Sequence, residues 1–248
     1  MSHPRSPSAH ASGSPAARLP LAEGGALAPD PVSVPAAATT LAADLRVPVR
    51  PRGLVIVPLG GGTSRFGRRS QRIAARLGGR RFATLLLDLL TAEEEAIDVY
   101  TAEFRFDVGR LGPRAVAAVE WARRQPSLAH LAIGLLGMQA AAPAALLAAS
   151  DRPRDVGAVV VVPAGRTSWV EGGIRDVAAP TLLVVPDRRA PGSGPAAAAG
   201  WRFLGPLDVA VPPARPGAAG VREPQDRLAD LAAAWFERHL AHAMGSGV

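Results

Sequence analysis

The segment from Gly53 to Leu77 constrains this chain more than any other. Leu54-Val55-Ile56-Val57-Pro58-Leu59 is a continuous apolar run that ends in Gly60-Gly61-Gly62 and leads into an Arg-rich amphipathic stretch, Arg68 to Leu77. A strand without polar alternation has to be covered on both faces, and a glycine turn into a helix is the βα unit that supplies the cover. The pattern recurs downstream. Ala83 to Leu87 reads as a strand ending at Asp88, Arg114 to Arg124 as a helix, Leu131 to Leu136 as a strand and Pro143 to Ser150 as a helix. Val156 to Val162, Thr181 to Val185 and Leu207 to Val211 read as further strands. Gln225 to His242 closes the chain as a helix with Leu228, Leu231, Ala232, Trp235, Phe236 and Leu240 on one face. Upstream, Val32 to Val34 and Thr40 to Val47 suggest a hairpin. Alternating β and α segments predict an α/β fold with a doubly wound, mostly parallel sheet and helices on both faces. Ligands in such sheets sit at the carboxyl ends of the strands.

The 248 residues suffice for one such domain, expected over residues 31–243. Residues 1–30 are rich in Pro, Ser and Ala and read as a disordered tail, as do residues 244–248. The chain has no cysteine, which excludes disulfides, thiolate catalysis and Cys-based metal sites. It also has no lysine, which excludes Schiff-base chemistry and a Walker-type phosphate lysine. The net charge of +7 invites a nucleic-acid reading. Against it, the arginines are scattered singly or in pairs, as at Arg68–Arg69, Arg80–Arg81, Arg123–Arg124 and Arg188–Arg189, with no aromatic-rich basic strand among them. A solvated basic surface accounts for them. With no secretory signal pattern and no apolar run of membrane-spanning length, a soluble cytoplasmic protein is expected. No cofactor or metal is expected; His239 and His242 lie three apart with no third ligand evident.

Three stretches resemble the dienelactone-hydrolase-like branch of the α/β-hydrolases. They are Gly53 to Arg65, where the family carries its oxyanion-hole loop, and Phe82 to Glu95 with Arg105-Phe106-Asp107-Val108 after it. The third is Gly134-Leu135-Leu136-Gly137-Met138-Gln139-Ala140-Ala141-Ala142, where the family has its nucleophile elbow. The strand Ala179 to Val185 and the helix Leu231 to Leu240 fit in order and spacing, so the resemblance covers about residues 31 to 242.

The departures from that pattern fall on the catalytic positions. The resemblance implies a serine in a G-x-S-x-G turn; this chain has Gln139 there, and Ala141 in place of the second glycine. The triad acid is implied near Arg189, with Asp187 the nearest acid. The triad histidine is implied between Pro212 and Gln225, a stretch without any histidine. Leu59 stands where the glycine loop usually opens with histidine. A carboxamide is no nucleophile, and nucleophile and base act as a unit, so a triad altered at every member predicts loss of the hydrolytic reaction. His130 precedes the elbow strand, and His239 and His242 lie on the closing helix, none placed as a general base.

The remaining candidates are binding residues. Gly60, Gly61 and Gly62 with Arg65 could receive an anion, although glycines also serve simply to turn a strand into a helix. Gln139 and Ala140 would face the same pocket if the elbow survives. Asp88 is either functional or a turn residue, and Thr91 with Glu93-Glu94-Glu95 reads as a helix cap and first turn. The sequence therefore predicts a catalytically inactive hydrolase-fold protein that binds a small molecule or a protein partner. The alternative is an ester or lactone hydrolase rearranged around Ser64 or Ser168.

Overall fold

The computed structural model describes residues 28–163, 175–185, 201–212 and 224–240. In chain order the elements are β1 (Asp30–Ala36), β2 (Thr39–Arg46), β3 (Gly53–Leu59), α1 (Arg68–Gly79), β4 (Phe82–Asp88), α2 (Ala92–Thr101), α3 (Val108–Arg124), β5 (Ile133–Met138), α4 (Ala142–Asp151), β6 (Val156–Val162), β7 (Arg175–Val177), β8 (Thr181–Val184), β9 (Trp201–Phe203), β10 (Leu207–Ala210) and α5 (Pro224–Leu240). Among the described residues the main sheet runs β1-β2-β4-β3-β5-β6-β8-β10. The β1–β2 hairpin joins β4 antiparallel, and every pairing from β4 to β10 is parallel.

Two apolar layers flank this sheet. On one face Ile56, Leu85 and Leu135 meet α3 and α4; on the other Val55, Leu86 and Leu136 meet α1 and α5. This is the physical meaning of the unalternated run at Leu54 to Leu59: successive side chains point to opposite faces and both are buried. Glycines set the closeness of the layers. A Cβ on Gly134 would lie 2.6 Å from the Phe236 ring, and one on Gly112 of α3 would lie 2.7 Å from Leu147 of α4.

The structure bears out the doubly wound sheet and adds two features. β7 and β9 form a separate two-stranded parallel sheet of Arg175-Asp176-Val177 and Trp201-Arg202-Phe203. Three-residue strands with charged centres carry no periodic signal. The other feature is the full length of α2, of which the sequence indicated the cap and first turn. Thr91 and Glu94 form a reciprocal capping box, Thr91 Oγ1 accepting from the Glu94 N–H at 3.2 Å and Glu94 Oε2 from the Thr91 N–H at 3.0 Å. α2 buries no apolar side chain; its one buried residue is Asp98. The expected tail lies outside the described residues except for 28–30, as do residues 244–248. No described helix is long and apolar enough to cross a membrane.

Candidate functional site

Two structures stand side by side at the carboxyl edge of the sheet. The first is the glycine loop against the turn after β5. Gly61 and Gly62 have φ of +62° and +82°, a region open to glycine at no steric cost. The loop is closed locally: the Gly60 N–H donates to Thr63 Oγ1 at 3.1 Å, and that hydroxyl donates to the Gly60 carbonyl at 2.7 Å. A Cβ on Gly61 would lie 2.9 Å from Ala140 Cβ and 3.4 Å from Arg105 Cβ, so the loop backbone rests directly on the turn. Across that contact, β5 ends at Met138 and Gln139 takes φ of +50° at the head of a single 3-10 turn, Gln139–Ala141. A non-glycine residue in that region carries a strain of about 1–2 kcal/mol. Gln139 is exposed, while Met138 and Ala140 on either side are buried. The turn is tight enough that a Cβ on Gly137 would lie 2.6 Å from Ala145 Cβ and 2.8 Å from Ala142 Cα. Ala141, in the second glycine position, is fully buried. The backbone of a nucleophile elbow is present; the residue it presents is a carboxamide.

The described histidines lie away from Gln139. His130 is exposed at the amino end of β5, beside Arg154 and Asp155. His239 stacks on Trp235 with ring centroids 4.1 Å apart, next to Leu240. Leu240 packs on Gly53 and Gly134, which open β3 and β5. Both histidines thus lie at the sheet edge opposite Gln139. Asp187, Arg189 and Ser168 fall outside the described residues.

The second structure is a cavity of about 460 Å³ on the other side of the glycine loop. Its walls are the start of β2 at Thr39 and Thr40, the loop residues Thr63 to Phe66, and Asp88 with the start of α2 through Glu95. Arg65 is the hinge of this wall. Its guanidinium meets Asp44 at 3.2 Å and Asp88 at contact distance, and its N–H donates to Asp88 Oδ1 at 2.8 Å. Its carbonyl accepts from the Gln71 amide, and Gln71 Oε1 accepts from Arg46 at 2.5 Å. Arg65 therefore ties the glycine loop to β2 and β4. Two carboxylates already balance its charge, so any anion at the glycine loop would depend on backbone N–H groups. Burial pushes the Asp88 carboxyl above its ordinary range, against the pull of Arg65. Burial and the neighbouring Asp98 charge do the same to Glu95.

Of the sequence candidates, the fold brings Gly61 and Ala140 into contact and places Gln139 exposed at that junction. Arg65 faces the neighbouring cavity. Sequence reasoning missed Asp44, Asp98 and the bracing role of Arg105. Asp98 is fully buried and accepts from the N–H groups of Phe104 and Arg105 at 2.7 and 2.9 Å and from Arg105 Nε at 2.8 Å. The stem of Arg105 is what lies against Gly61. A charged residue inside the half-alternating strand Thr40 to Val47 was the available signal for Asp44.

A sheet of this order, with a glycine turn after β3 and a strained strand-to-helix turn after β5, defines an α/β-hydrolase fold. Known proteins narrow the class. The chain is 32% identical to the dienelactone hydrolase of Anabaena variabilis, with a TM-score of 0.68 over 87% of this chain and 100% of that one. The chain belongs to the dienelactone-hydrolase-like branch of the α/β-hydrolases. A Klebsiella pneumoniae protein provisionally named a dienelactone hydrolase shares the fold at TM-score 0.61 and 16% identity, over 87% of this chain and 100% of that one. The chain is also 40% identical over 157 residues to a Mycobacterium tuberculosis protein, in two strains, whose provisional name is phosphoribosyl transferase. That match takes 63% of this chain and spans 34% of those relatives' length. No protein-family model matches the chain.

Proposed function

We propose that this protein is a non-catalytic member of its branch that binds a small oxygen-bearing molecule at the junction of the glycine loop and the turn after β5. The observation that carries this reading is Gln139: exposed, at φ +50°, and flanked by buried residues. A carboxamide offers one acceptor and two donors but no nucleophilic lone pair fit for acyl transfer. The ester or lactone class that the family name implies would be held there and released unchanged. The test is to titrate γ-butyrolactone and p-nitrophenyl butyrate into isotope-labelled protein. Amide shifts should concentrate at Gly61, Gln139 and Ala140, weaken in Gln139→Ala, and come with no product release. Shifts that ignore Gln139→Ala would remove the proposed site.

A working hydrolase with a rearranged site has one observation in its favour, since Ser64 lines the cavity next to Asp88. The Asp88 carboxylate is engaged by Arg65, however, and no described histidine lies on this edge of the sheet. The phosphoribosyl transferase name belongs to proteins of which the chain spans about a third, and it contributes nothing to this reading.

A further inference from the structure

The two rims of the cavity carry opposite surfaces. On one rim, residues 91–107 expose the carboxylates of Glu93 and Glu103, which make no ion pair among the described residues, while Glu94, Asp98 and Asp107 are already held by Arg110, Arg114 and Arg105. The same segment exposes Ile97, Val99, Tyr100 and Phe106, at 48%, 61%, 90% and 51% of their surface. Such a cluster of exposed large apolar residues marks an interaction surface rather than ordinary exposure. On the other rim stand Phe66, 71% exposed with the Arg65 guanidinium 4.1 Å over its ring, the exposed Arg68, and Arg69, whose guanidinium is partly desolvated by burial; neither Arg68 nor Arg69 has an ion-pair partner among the described residues. Phe66 and Glu93 line the same opening from opposite sides. One rim is apolar with two exposed carboxylates, Glu93 and Glu103; the other carries Phe66 and two arginines.

We infer that this face pairs with a second copy of the chain in a twofold dimer, α2 of each protomer lying on Phe66, Arg68 and Arg69 of its partner. Two complementary patches flanking one opening satisfy a twofold axis across that opening, because each contact is then made twice. The arrangement gives the apolar residues of α2 a cover that the described residues do not provide. It also places guanidinium groups opposite the two exposed carboxylates, where charge fixes the register of association.

Sedimentation equilibrium on the full chain tests this, with two variants that alter only exposed positions: Phe66→Glu/Arg68→Glu and Val99→Arg/Glu103→Arg. The parent should be a dimer whose dissociation constant rises at least about tenfold between low salt and about 0.5 M NaCl. Each variant should be a monomer by itself, and an equimolar mixture should recover dimer, since each reversed patch then meets its complement. Circular dichroism melting confirms that the variants are folded. A parent that stays monomeric to about 100 µM, a concentration far above that of a specific dimer, overturns the inference. So does a variant that dimerises like the parent, or a mixture that remains monomeric. Protection of α2 amides in a monomer, lost on removal of residues 1–27, would assign this face to the chain's own N-terminal segment and equally overturn it.

Discussion

The two halves of the carboxyl edge are built by different means. The junction of glycine loop and elbow is made of backbone: its closeness comes from Gly61 against Ala140 and from Gly137 against Ala142 and Ala145, each nearer than an added methyl group would allow. The cavity beside it is made of side-chain charge. Arg65 bridges Asp44 and Asp88, Arg110 and Arg114 hold Glu94, and Arg105 holds Asp98, so that α2 is fastened by ion pairs and not by apolar burial. Steric fit survives the loss of a nucleophile because the packing does not depend on which side chain the turn presents. An ionic scaffold depends on every partner. Substitutions should therefore act differently on the two sides.

The largest effect is expected at Asp98. Asp98→Ala leaves Arg105 part-buried without its carboxylate and should cost about 3–5 kcal/mol, read by urea denaturation. The same variant should loosen α2 and, through Arg105, the glycine loop, detectable as faster amide exchange at both. On the steric side, Gly137→Ala forces a methyl to within 2.6 Å of Ala145 Cβ and should cost about 1–3 kcal/mol by overpacking, without altering exchange in α2.

Glu94 gives an intermediate effect with a pH signature. Arg114 foremost holds its carboxyl down to about 2, from an ordinary 4.5, with the Thr91 N–H and Arg110 adding to the pull against burial. The folded state thus favours the charged form, so the contribution is complete above about pH 5 and declines as pH falls through 4.5 toward 2. Glu94→Gln should cost about 2 kcal/mol at neutral pH, as expected for charge-assisted hydrogen bonds. Parent and variant should converge in that acid window. Because glutamine keeps the capping box, a difference independent of pH would show that the Arg110 and Arg114 pairs do not carry the effect.

The smallest effect should have the opposite sign. Gln139→Gly removes a left-handed non-glycine residue and should stabilise the fold by about 1 kcal/mol while abolishing the lactone-dependent amide shifts. A destabilised Gln139→Gly would mean that the glutamine makes contacts which offset its backbone strain.

The same division governed what the sequence made legible. The βα units were readable because burial on both faces writes an unalternated apolar run, as in Val156 to Val162, and because glycines mark the turns. The elbow was readable only through the resemblance that Gly134 to Ala142 bears to the family's stretch; the close packing at Gly137 is seen in the fold. The Thr91 cap was readable because its box is local in sequence. The pairings Arg65 with Asp44 and Asp88, and Arg123 with Asp155, were not, since partners 21 to 32 residues apart leave no periodic trace among 28 arginines. β7 and β9 were too short to show a pattern. The apolar residues of α2 were present in the sequence, yet only the fold reveals that no other described residue covers them.

The central claim is that the elbow persists without its chemistry. The most direct measurement is release of p-nitrophenol from the acetate and butyrate esters, run beside Gln139→Ala, heat-killed protein, and a fluorophosphonate labelling reaction analysed by mass spectrometry. The expected result is a rate equal to the heat-killed control in both proteins and no phosphonylated serine. A rate above control together with a labelled serine, at Ser64 or Ser168, would contradict the account and identify a working nucleophile.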